Sequence, residues 1–271
     1  MDTRPIGVFD SGMGGLTAVR QMLHLLPAED IIYFGDTGRV PYGGRSAKTI
    51  VRYARQDVAF LRSFDLKAIV IACGTVSTTA LSTLQNENSI PILGVVEPAA
   101  QAAADATKSG RIGIIGTKAT IRSGAYEHAI RALKRDVALS AKACPLLVPL
   151  VEEGRVGRGD LVTERVVAEY LTPMKEEGVD TLVLGCTHYP LLSDIIGEFM
   201  GKDVTLIDTG EQAARAVITL LRRENKLNAS AEEGRRRYYA SDSAEDFAAM
   251  ASMFLGADIT ECAEHVAIAE Y

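Results

Sequence analysis

The 271-residue sequence predicts an α/β protein of two similar lobes, each built on a parallel-type sheet, with a cleft between them. Three observations carry that reading. Short apolar runs of strand length alternate with stretches that repeat every three to four residues, the period of an amphipathic helix. The chain repeats itself loosely, since IGVFDSG at 6–12 matches IGIIGTKAT at 112–120 and AIVIACGT at 68–75 matches LVLGCTH at 182–188. Finally, Cys73 and Cys186 end corresponding apolar runs and lead into polar turns, at the strand ends where α/β proteins place reactive groups.

In chain order, IGVFD (6–10) reads as the first strand, stopped by the glycine-rich turn from Asp10 to Gly15. LTAVRQMLHLL (16–26) has helical spacing and leads to a second strand, IIYFGD (31–36). The loop GDTGRVPYGG then turns at Pro41, Tyr42 and Gly43, and RSAKTIVRYARQDVAFLRSF (45–64) forms an amphipathic helix. AIVIAC (68–73) is the third strand, emptying into GTVSTT. Further strands are expected at ILGVV (92–96), RIGIIGT (111–117), LLVPLV (146–151), TLVLGC (181–186) and VTLID (204–208). The closing segment, YYASDSAEDFAAMASMFLG (238–256), reads as strand, turn and helix returning to the first lobe.

Apolar residues make up 47% and charged residues 24%, values of a soluble globular chain, and no apolar stretch approaches the ~18 residues of a membrane span. The start, MDTRPIGVFDSG, lacks the layout of a secretory signal, so a cytoplasmic protein with free thiols is expected. The net charge of −6 argues against a nucleic-acid partner, and the one basic cluster, Arg235 to Arg237, adjoins Glu232 and Glu233 and reads as a solvated edge. The four cysteines show no C-x-x-C pairing, and no local ligand spacing supports a metal at Cys73, Cys186 and His188.

The turn after the first strand sits where a dinucleotide-binding fold has its phosphate loop, and Asp36 stands where a ribose-binding acid would. That pattern fails at Thr17, which replaces its third glycine, and Asp10 would repel a pyrophosphate. A phosphatase with Asp10 as nucleophile lacks a second aspartate two residues later. The thiols say more. Racemising an amino acid without a cofactor requires a proton to leave Cα on one face and another to arrive on the opposite face, which two opposed thiols can do if neighbours tune them. Asp10 is placed to assist Cys73, and His188 and Glu152 to assist Cys186. A lone buried cysteine would read as packing; the matched pair reads as chemistry. Cys144 and Cys262 are expected in or near the core, and His24, His128 and His265 in surface or packing positions. Ser11, Thr75, Thr117, Thr120 and Thr187 lie in loops facing the cleft, where they can cap helices, bind a substrate's polar groups, or both.

From IGVFDSGMGGL through DTGRVPYGGRS, IACGTVST, GVVEPA, IGIIGTKATI, CPLLVPLVEEG and LGCTHYPLL to YYASDSAEDF, the sequence resembles the cofactor-independent glutamate racemases of the aspartate/glutamate racemase superfamily. The resemblance implies lobes related by pseudo-twofold symmetry, the first made of residues 1–97 plus 209–271 and the second of 98–208. It implies interconversion of L- and D-glutamate without cofactor or metal, supplying D-glutamate for peptidoglycan, by a cytoplasmic homodimer. By the same resemblance Cys73 takes the proton from D-glutamate and Cys186 from L-glutamate, supported by Asp10, Glu152 and His188. Asp10, Ser11, Pro41, Tyr42, Gly43, Gly74, Thr75, Thr117 and Thr187 look like substrate contacts. The family usually has asparagine after the first cysteine; here Gly74 removes that amide, with its own N–H and a bridging water as replacements. The first strand begins within a few residues of Met1, so activity without the cell-wall precursor that activates some extended members is expected. Competing readings are a racemase for aspartate or another amino acid and a noncatalytic amino-acid-binding protein.

Overall fold

The computed structural model describes residues 2–259 and 262–271. Its core is two wholly parallel sheets. One contains β1 (Ile6–Asp10), β2 (Ile31–Gly35), β3 (Ala68–Ile71), β4 (Ile92–Leu93), β9 (Arg236–Ala240) and β10 (Ala263–His265), in the order β10-β9-β2-β1-β3-β4. The other contains β5 (Arg111–Gly116), β6 (Ala138–Ala143), β7 (Thr181–Leu184) and β8 (Thr205–Asp208), in the order β6-β5-β7-β8. Four strands of the first sheet, β2-β1-β3-β4, therefore follow the same winding as all four of the second. The fold class expected from the sequence is the one observed.

Helices cover both faces, so the central strands read as unbroken apolar runs, and every residue of β1, β2, β3 and β7 is buried. The helices are α1 (Leu16–Leu25), α2 (Ala47–Leu61), α3 (Gly74–Glu87), α4 (Val96–Ala106), α5 (Lys118–Ser123), α6 (Ala125–Leu133), α7 (Leu147–Glu152), α8 (Leu161–Glu176), α9 (Ser193–Met200), α10 (Thr209–Arg223) and α11 (Ala244–Leu255). Ser46 and Thr117 cap α2 and α5 by accepting the N–H groups of Thr49 and Thr120. After β8, α10 packs against α1 and carries the chain back to the first sheet, where β9 pairs with β2.

Two expected strands differ. LLVPLV is α7, not a strand: Pro149 has no N–H for a ladder but sits without penalty in a helix's first turn. The strand of that region is β6, ALSAKA, an edge strand without a single fully buried residue, which explains why no apolar run announced it. ILGVV is extended only over Ile92–Leu93, and Val96 already opens α4. Cys144 is buried as expected, but Cys262 is exposed, directly before β10, the edge strand of the first sheet.

At the end of the first sheet away from the cleft, Lys67 and Glu29 form a fully buried ion pair. Lys67 Nζ also donates to the carbonyls of Asp2 (2.8 Å) and Lys226 (2.9 Å), and Glu29 Oε1 accepts the Asn228 N–H at 2.8 Å. A buried charge tolerates its position only with such a set of partners, and here they tie the amino terminus, β3 and the returning segment together.

Candidate active site

Strand ends build the cleft. β1 ends at Asp10, Cys73 lies two residues beyond β3, Thr117 directly follows β5, and Cys186 lies two residues beyond β7. A cavity of about 400 Å3 opens there, lined by Ser11, Pro41, Tyr42, Gly43, Cys73, Gly74, Thr75, Thr117, Glu152, Cys186, Thr187 and His188. Asp10 does not line it; the residue is buried, 1% exposed. A larger, open groove of about 750 Å3 runs between α4 and α10, but no cysteine or histidine faces it. Among the described residues no group of three or more His, Cys, Asp or Glu is arranged to hold a metal ion.

On the first side, Cys73 stands at the N-cap position of α3, where the helix end favours a thiolate, and its Sγ lies 3.3 Å from Ser11 Oγ. Burial, followed by the charge of Asp10, nonetheless pushes the thiol up to about 12. Burial also raises the Asp10 carboxyl, although His188, the Gly15 N–H and Cys73 draw it down. Asp10 Oδ2 accepts the Gly15 N–H at 3.1 Å, while Oδ1 completes no hydrogen bond. A buried, unpartnered carboxylate oxygen whose basicity is raised is suited to taking a proton from the neighbouring thiol.

On the second side, Cys186 Sγ lies 3.9 Å from His188 Nδ1, and His188 Nε2 lies 3.1 Å from Glu152 Oε1. Burial disfavours the imidazolium, but hydrogen bonding to Cys186 and Glu152, together with the charges of Cys186 and Asp10, outweighs it and raises His188 to about 10. The ring is therefore a cation at neutral pH, placed to stabilise a thiolate on Cys186, with Glu152 fixing its orientation.

The lobes touch closely around these groups. Thr75 Oγ1 and Thr117 Oγ1 are 3.0 Å apart across the cleft, and Thr117 Oγ1 is 3.0 Å from Thr120 Oγ1, so Thr117 both caps α5 and faces the cavity. Gly14 packs against the second lobe so tightly that a Cβ there would lie 2.2 Å from Thr187 Oγ1 and 2.5 Å from His188 Nδ1. A Cβ on Gly74 would lie 2.5 Å from the Gly185 carbonyl oxygen. The direction an asparagine side chain would take from position 74 is thus filled by the opposite lobe's backbone, not left open for a bridging water.

Three contributors escaped the sequence reading. The Thr17 hydroxyl, at the position that spoiled the dinucleotide pattern, reaches the carbonyls of Gly14 (2.8 Å) and Thr187 (3.0 Å) and so holds the turn beside Cys186. A polar residue in an otherwise apolar helix stripe was its only signal. Phe254, from α11, meets the His188 ring edge-on at 5.2 Å. Lys118, exposed at the start of α5, also lines the cavity; the cation after Thr117 is visible in the sequence, but its place at the cavity is not.

Comparison with known proteins places this arrangement. The signature of the Asp/Glu/Hydantoin racemase family matches residues 6–217. The chain belongs to that family. It is 48% identical to the glutamate racemase of Geobacter metallireducens over 94% of each chain. The crystal structure of the glutamate racemase isoform RacE1 from Bacillus anthracis superposes with a TM-score of 0.93 at 38% identity, covering 98% of both chains. That of the Francisella tularensis glutamate racemase, solved in complex with D-glutamate, gives 0.91 at 37% identity over the full length of both. The two-sheet architecture described above is therefore this family's fold, and the enzyme is an amino-acid racemase.

Proposed function

We propose that the chain is a glutamate racemase that interconverts L- and D-glutamate by two-base proton transfer at Cα, with Cys73 and Cys186 as the bases. The observation that carries this reading is the pair of thiols delivered to one cavity by corresponding strands, each with its own proton partner. In the D-to-L direction the Cys73 thiol first gives its proton to Asp10. The Cys73 thiolate then removes the Cα proton, and the Cys186 thiol returns a proton to the opposite face. The Cα electron pair is held in between, and the enzyme finishes with a thiol at Cys73, the first proton still on Asp10, and a thiolate at Cys186 beside the His188 cation; once the product leaves, Asp10 releases its proton and Cys186 takes one up, restoring the starting state. The reverse reaction runs the same steps backwards. Ser11, Pro41, Tyr42, Gly43, Gly74, Thr75, Thr117 and Thr187 bind the substrate, and the Lys118 ammonium draws the anionic amino acid toward the mouth.

The kinship with glutamate racemases supports glutamate over aspartate, and two thiols with separate proton partners favour an enzyme over a binding protein. The proposal extends to a cytoplasmic homodimer supplying D-glutamate for peptidoglycan, with lobes at 1–97 plus 209–271 and 98–208. Incubation in D2O with each enantiomer of glutamate and aspartate is the test. Deuterium entering Cα of glutamate alone is expected; exchange with aspartate instead, or with neither, would reject the assignment.

A further inference from the structure

Behind the 41–43 wall of the cavity lies a buried polar cluster that the proposed chemistry does not use. Asp36, which follows β2, and Asp57, in the middle of α2, are both fully buried. Arg39 reaches both, with Nε 2.6 Å from Asp36 Oδ2 and Nη2 2.8 Å from Asp57 Oδ1, and a third N–H goes to Gln56 Oε1 at 2.5 Å. Ser241, just past β9, donates to Asp36 Oδ1 at 2.7 Å. Between the two carboxyl groups stands the Tyr42 hydroxyl, in short contact with Asp36 Oδ2 and 3.3 Å from Asp57 Oδ2.

Charge and protons must balance at the two carboxyl groups, because both are fully buried and only the Arg39 side of the cluster is partly exposed. One guanidinium compensates one carboxylate, leaving the second to be neutral or costly. The phenol has a single proton, and the short contact to Asp36 takes it. The remaining contact to Asp57 is a hydrogen bond only when Asp57 brings the proton, donating to the phenol oxygen.

We propose that Asp57 is a positioning residue for the racemase: as a neutral acid it grips the Tyr42 phenol and thereby holds the Pro41–Gly43 wall against the substrate. Tyr42 then serves the cleft through its ring and backbone, its hydroxyl being turned to the cluster, and Gly43 stays packed against Thr117 of the other lobe. Burial, followed by the charge of Asp36, raises Asp57 well above the usual carboxylate range, against Arg39 and Tyr42, and Asp10 pushes the same way from β1. Outside this set, Tyr53 stacks on Arg39 at 4.2 Å, with Arg52 on the same ring at 5.1 Å.

The inference rests on the two-base reading of the cleft, and the experiment separates the two. The full-length protein and its Asp57→Asn and Asp57→Ala variants are assayed in both directions, and their thermal midpoints are followed with pH. Asparagine keeps a donor at this position, so Asp57→Asn is expected to hold KM and kcat within about twofold, whereas Asp57→Ala raises KM about tenfold in both directions and changes kcat less. An acid raised in the fold loses stability as pH climbs above the ~3.9 of the unfolded aspartate, so the wild type should fall progressively behind Asp57→Asn as pH rises from about that value. An Asp57→Asn variant with the alanine variant's KM, a kcat loss alone, or a midpoint difference independent of pH overturns the proposal. Absence of any glutamate exchange by the wild type overturns the two-base reading, and the midpoint comparison still decides the state of Asp57. The same comparison decides if Asp57→Ala does not fold.

Discussion

Beside Cys73 the assisting group is a buried carboxylate with one oxygen unpartnered; beside Cys186 it is an imidazole backed by a half-exposed Glu152. The strands that deliver the thiols correspond, β3 to β7, yet the helpers do not. Asp10 ends β1, and the matching place at the end of β5 is Gly116. With no carboxylate available there, the second side draws its helper from the turn after Cys186 and from the end of α7. Duplicate topology thus sets where two proton carriers stand, while local sequence sets what each can do at a given pH.

The largest effect should come from the thiols themselves. Cys73→Ala or Cys186→Ala is expected to lower racemisation by roughly 10³-fold or more with an unchanged circular-dichroism spectrum, since each removes a proton carrier. Full turnover by either variant would dissolve the comparison.

Next come the helpers. Asp10→Asn should slow the D-to-L direction more and His188→Asn the L-to-D direction more, each by about 10²-fold, read as initial-rate parameters and deuterium wash-in because the overall equilibrium constant cannot change. Equal losses in both directions would make the helpers shared. His188 adds a pH signature. Its folded value of about 10 lies above the unfolded value, so its stabilisation is complete below about pH 6.5 and is lost as pH rises through 10. The wild-type thermal midpoint should therefore decline across that window more steeply than that of His188→Asn.

Gly74 and Thr187 follow the two cysteines and are not equivalent either. Because Gly74 abuts the Gly185 backbone, Gly74→Asn should prise the lobes apart next to both thiols. About a tenfold drop in kcat, larger than the change in KM, is expected. A change in KM alone would mean the asparagine finds room within the pocket.

The smallest effect belongs to the cavity mouth. Lys118→Ala should reduce kcat/KM about threefold for both enantiomers and weaken its dependence on salt, since an exposed charge acts mainly on encounter. A loss confined to one direction would move Lys118 from the entrance to one side of the chemistry.

Much of this was legible in the sequence because buried parallel strands must be apolar throughout, which made β1, β2, β3, β5 and β7 visible and placed both thiols at strand ends. The misreadings share one cause. LLVPLV is as apolar as a core strand although it forms α7, and β6 is as polar as a loop because it lies at an edge. At the site, residue types indicated Asp10, His188 and Glu152, but contacts between distant segments left no local trace. Thr17 meets Thr187 across 170 residues, and Phe254 reaches His188 from a helix near the carboxyl terminus. The partners of Asp57 lie on separate elements, and nothing in RYARQDVAF marks its aspartate as buried.

The pairing of β2 with β9 also has a consequence for how the molecule is made. A ribosome releases the chain in order, and all four strands of the second sheet have emerged once Asp208 is out. The first sheet must wait for Arg236–Ala240, and until then β2 keeps a row of unpaired backbone groups and Lys67 lacks the Lys226 carbonyl. The middle of the chain is therefore free to finish folding before its beginning. A nascent chain halted ahead of residue 236 carries one sheet with all its strands and one that still lacks its partner along β2, whose free edge is able to pair with another strand.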